Sequence, residues 1–156
     1  MPSAAIPDRS SMLNALLAGG IVAGTIDIGA AAVINMASPI RILHFVAGGL
    51  YGRPALQGGA TMTILGAVLQ LAMSIVIAAI YVFACRRMPI LGRAWLASGL
   101  LYGVVVFFVM NYVVVPLSAW GKAPTFTVAS FVENLLAMLL FGLIVAYFAQ
   151  RVQDAT

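Results

Sequence analysis

Four stretches of this chain stay apolar long enough to cross a bilayer, at residues 14–36, 61–85, 94–115 and 125–150. Apolar runs of at least about 18 residues read as transmembrane helices. Short segments rich in Gly, Pro and Arg separate them. One further helix is predicted over residues 39–48. Ser38 suits its N-cap, Pro39 its first position, and Gly48 with Gly49 its end. It is too short to span. Arg41, His44 and Gly48 fall on one side of it, so it reads as a helix lying in or re-entering the membrane interface. The pattern predicts an all-α, four-helix membrane bundle that forms one domain over residues 1–156.

The polar positions inside the apolar runs carry the rest of the picture. Gly20, Gly24, Asp27, Ala31 and Asn35 recur at helical spacing and share one face. Gly20 and Gly24 form a small-residue pair that lets another helix approach closely, and Gly99 with Gly103 repeats it in the third run. Each run also places a hydrogen-bonding side chain in its outer half. Asp27, Gln70, Asn111, Glu133 and Asn134 lie within about 10 Å of their helix midpoints at 1.5 Å per residue. Charges at that depth usually face protein or water. Two readings follow. The cluster is a proton, cation or headgroup site in which Asp27 and Glu133 could share a proton and Arg41 or His44 supplies a counter-charge. Alternatively, it is a polar clamp that fixes helix packing or contacts another subunit.

An internal repeat is also suggested. At an offset of 64 residues, Thr61 and Thr63 fall on Thr125 and Thr127, Gln70 on Asn134, Leu71 on Leu135 and Arg87 on Arg151. With the shared glycine pairs, and with Asn35 and Asn111 each shortly before a proline, this points to a duplicated two-helix hairpin about an axis along the membrane normal.

Composition strengthens the membrane expectation: 63% of residues are hydrophobic and 8% charged, against roughly 25% charged in a soluble domain. The net charge of +4 does not point to nucleic acid, because the basic residues flank apolar runs and make no stripe interleaved with aromatics. Arg9, Arg86, Arg87, Arg93 and Arg151 outnumber Arg41, Arg53 and Lys122, which predicts both termini inside. Tyr81, Trp95 and Tyr147 then belong to an inner aromatic belt and Trp120 to an outer one. The polar residues 1–11 resemble the start of a signal peptide, but the run that follows is too long for one and contains Asp27. Cys85 alone allows no intrachain disulfide. One histidine and one cysteine make no zinc or haem site, so no metal or cofactor is expected. No nucleophile–base pair and no phosphate-binding glycine loop are present.

The segments Gly24-Thr25-Ile26-Asp27, Ser38-Pro39-Ile40-Arg41 with Ala47-Gly48-Gly49, Leu100-Leu101-Tyr102-Gly103-Val104 and Met110 to Ser118 resemble a group of small bacterial inner-membrane proteins with four helices. The chain is distantly similar to the YagU-like proteins over most of its length. That pattern often carries histidines near the positions held here by Gln70 and Ala137, a departure that weakens any metal or haem idea. The resemblance implies a bacterial inner membrane and a four-helix fold, and no activity. The expectation is a non-catalytic subunit or assembly partner, as a homo-oligomer or within a larger membrane complex. The alternative is a small proton- or cation-coupled transporter or channel using the polar cluster.

Overall fold

The computed structural model describes residues 9–154; of the polar leader read in residues 1–11, residues 1–8 lie outside them and the rest begin α1. All regular structure among the described residues is helical. The elements are α1 (Arg9–Ile34), α2 (Pro39–Tyr51), a 3-10 turn (Arg53–Gln57), α3 (Ala60–Arg87), α4 (Pro89–Arg93), α5 (Trp95–Val109), a π-turn (Met110–Val114), α6 (Val115–Leu117) and α7 (Val128–Asp154). Four spans are long and apolar enough to cross a membrane: Met12–Ile34, Ala60–Arg87, Trp95–Leu117 and Val128–Arg151.

Side-chain size decides which residues meet where two helices cross most closely. Bulky residues one turn apart, such as Ile64, Val68, Val76 and Ile80 on α3 and Val132, Leu136 and Leu140 on α7, are exposed. Small residues face the neighbouring helix. On α1, a Cβ at Gly20 would sit 2.9 Å from the Ile75 backbone, and one at Gly24 would sit 2.5 Å from Ser74 Oγ. On α5, a Cβ at Gly99 would sit 2.8 Å from Ala146 Cβ, and one at Gly103 would sit 2.8 Å from Leu139 Cα. These contacts make α1–α3 and α5–α7 two antiparallel hairpins. The hairpins join through α1 against α7, over a core that includes Ala23, Ala78, Tyr81, Phe141, Val145 and Ala146.

Several boundaries differ from the sequence reading for identifiable reasons. The sequence pattern predicts that the third helix ends at residue 115, before Pro116. Instead the helix continues to Leu117 by widening into the π-turn over Met110–Val114. Proline lacks an N–H and crowds the carbonyl four residues back, and one wider turn relieves that conflict. α2 likewise runs past Gly48 and Gly49 to Tyr51, and ends at Gly52 with φ +69°. Gly48 serves contact rather than termination: the Trp120 indole lies where its side chain would be. Trp120 stacks on Phe45 with centroids 4.6 Å apart and donates from Nε1 to the Phe45 carbonyl at 3.2 Å. α2 therefore packs on α3, where a Cβ at Gly66 would collide with the Leu43 carbonyl, and beneath the loop before α7. Thr127 caps α7 through its hydroxyl on Ser130 N–H at 3.2 Å, so that helix begins at Val128 rather than near residue 125.

Candidate functional site

The polar centre grows out of the α1–α3 crossing. Gly24 admits Ser74, whose hydroxyl donates to the Gln70 carbonyl at 2.8 Å. That close approach brings Asp27, three residues further along α1, to Gln70. The Gln70 amide donates to Asp27 Oδ2 at 2.8 Å. The other carboxylate oxygen is not sealed in the protein, because among the described residues no side-chain polar atom is buried without a partner. A cavity of about 40 Å³ adjoins the pair. It is lined from all four long helices by Asp27, Gln70, Ser74, Val106, Met110 and Phe141, among others. A water needs at least about 10–15 Å³ measured this way, so the space suits one to a few waters and no larger solute. Asp27 lies about 6 Å from the midpoint of its apolar span, toward the α2 end.

The other residues of the expected cluster do not join this pair. Asn111 donates to the Phe107 carbonyl of its own helix at 2.9 Å. Asn134 donates to the Ser130 carbonyl at 2.8 Å and contacts Ser130 Oγ at 3.3 Å. Glu133 is exposed on the outward side of α7. The two proposed counter-charges also lie elsewhere: Arg41 is exposed on α2, and His44 pairs with Thr63 Oγ1 at 2.9 Å. The single layer expected from depth along the helices is one interhelical pair, two amides bonded within their own helices, and an outward carboxylate. Helical rotation, not depth, separates them.

Sequence reasoning missed a second polar cluster. Tyr81, expected in the aromatic belt, is 1% exposed. Its hydroxyl lies 2.7 Å from Ser98 Oγ, which reaches the Leu91 carbonyl at 2.7 Å. Tyr102 donates to the Ile77 carbonyl at 2.7 Å, and the two tyrosine rings lie 4.9 Å apart. These bonds tie α3 to α5. Ser98 and Tyr102, one turn apart on an otherwise apolar helix, were the available signal. At this same end lie Arg86, Arg87, Arg93 and Arg151, with Arg87 over the Phe83 ring and Arg151 over Tyr147.

Fold and site together define an all-helical protein with four bilayer-length helices around one carboxylate–amide pair, a form compatible with a multi-pass membrane protein. In comparisons with protein-family models, curated proteins and solved structures, none matches this chain. Among the described residues, no group of three or more His, Cys, Asp or Glu side chains could hold a metal ion.

Proposed function

We propose that this protein sits in a bacterial inner membrane with both termini cytoplasmic, as a non-catalytic subunit or assembly partner of a larger membrane complex. The observation that carries the reading is Glu133. It is exposed among Val132, Leu136 and Leu140 on α7. It lies about 10 Å from the midpoint of the α7 span, inside the roughly 15 Å half-thickness of a hydrocarbon core. A carboxylate at the centre of a membrane helix is unfavourable by roughly 2.5–3.5 kcal/mol on insertion scales; at the depth of Glu133 the cost is smaller but still favours a partner. A neighbouring helix bearing Lys or Arg supplies one. The internal polar groups support the same reading, because Gln70, Asn111, Asn134, Tyr81 and Tyr102 are hydrogen-bonded within the chain. The matching glycine crossings favour a duplicated hairpin as the origin of the fold.

Purification from native membranes in mild detergent tests the proposal. A stoichiometric partner with a basic residue in a membrane helix is expected, and Glu133→Gln should weaken its retention. A lone monomer indifferent to that substitution overturns the reading.

The cavity beside Asp27 favours a second reading, proton or cation coupling through the bundle. In proteoliposomes under a proton gradient, Asp27→Asn should then alter leak or uptake. An unchanged flux removes that reading.

A further inference from the structure

A groove of about 410 Å³ runs between α1 and α3 at the arginine end of the bundle. Its walls are Met12, Leu16, Ala79, Ile80, Val82 and Phe83, and Arg86 stands at its rim. From Ile80 to Arg86 it follows about 9 Å of α3. Ala79 contributes the smallest side chain of this lining. Arg86 and Arg87 diverge. Arg87 lies 5.1 Å from the Phe83 ring centroid, whereas Arg86 donates from Nη1 to Met12 Sδ at 3.5 Å. A thioether is a weak acceptor. Among the described residues it leaves most of a five-donor guanidinium without an anion, at the end of a bilayer-length helix, above an apolar slot.

We infer that this groove seats one acyl chain of an anionic phospholipid whose phosphate is held by Arg86. The planar guanidinium matches two phosphate oxygens at once. The slot beneath offers apolar contact to the first part of the chain. A zwitterionic lipid would find the same slot but a weaker hold, because its own cation offsets its phosphate. The inference rests on the membrane placement proposed above and is independent of any partner at Glu133.

Full-length protein in mild detergent, mixed with equal amounts of phosphatidylglycerol and phosphatidylcholine of matched chains, can be read by native mass spectrometry. Wild type should retain the anionic lipid about fivefold over the zwitterionic one, the ratio that roughly 1 kcal/mol per arginine implies. Arg86→Gln should bring the ratio near unity, whereas Arg93→Gln, outside the groove, should leave it intact. Ala79→Phe should lower retention of both lipids by filling the slot. Excess inorganic phosphate should not displace the lipid.

Equal retention of the two lipids by wild type overturns the inference, whatever the folding of the variants. So does an equal loss in Arg86→Gln and Arg93→Gln, or displacement by phosphate. A protein that stays dispersed without detergent refutes the membrane placement itself, a different failure from lipid retention without selectivity.

Discussion

The α1–α3 and α5–α7 hairpins both close on glycines, but the obstacles at Gly24 and at Gly142 are different. At Gly142 in α5–α7 the crossing is backbone against backbone. A Cβ on Gly142 would run into the Gly99 carbonyl and sit 2.7 Å from Gly103 N and 2.9 Å from its Cα. In α1–α3 the nearest obstacle to Gly24 is the Ser74 side chain. Three residues beyond the second glycine, one hairpin carries Asp27 and the other Val106. Both line the same cavity. The partner helices carry amides at matching positions, and their behaviour follows the residue opposite. Gln70 crosses to Asp27, whereas Asn134 turns back to its own helix. A tight crossing supplies proximity; an interhelical polar bond also needs an acceptor on the facing helix.

The sharpest way to break this comparison is Gly142→Leu. Its obstacles are main-chain atoms that no side-chain rotation can clear. We expect a loss of about 3 kcal/mol or more, since overpacking commonly destabilises by 1–3 kcal/mol and this crossing cannot relax. Thermal unfolding in detergent should show it, and no second-site side-chain truncation should rescue it. Rescue by one would place the crossing elsewhere.

Removing the donor from the polar pair should come next. Gln70→Leu leaves Asp27 without its interhelical partner, a loss of about 1–2 kcal/mol by the same assay. Stability equal to wild type would show that water in the cavity replaces the amide. Gly24→Ala should be milder, about 1 kcal/mol, and partly rescued by Ser74→Ala, which deletes the nearest atom. A double-mutant cycle with no coupling would remove the distinction between the hairpins.

Much of this arrangement was legible in the residues. Small-residue spacing marked the helix faces at Gly20, Gly24, Gly99 and Gly103, because a missing Cβ is visible in sequence and its consequence is local. Depth along a helix also placed Asp27 and Gln70 at one level. Rotation about the helix axis is hard to read in runs that are apolar all round, so depth alone groups Glu133, Asn134 and Asn111 into a cluster that they do not form. Tyr81 looks like part of a surface belt in sequence because its partner, Ser98, lies on a different helix. Pro116 and Gly48 look like chain punctuation in sequence. Their roles depend on a π-turn and on Trp120, neither of which has a one-dimensional signature.

Asn134→Leu is the smallest expected effect and the finest test of the contrast with Gln70. The Asn134 amide bonds to Ser130 within α7. Replacing it removes a hydrogen bond that orders no second helix and leaves the Ser130 carbonyl in its ordinary helical environment. We expect a change within about 0.5 kcal/mol, the range of substitutions that touch no special feature. A loss as large as that of Gln70→Leu would mean that Asn134 reaches across the bundle. The second hairpin would then carry an interhelical polar contact of its own, and the asymmetry drawn from Asp27 and Val106 would disappear.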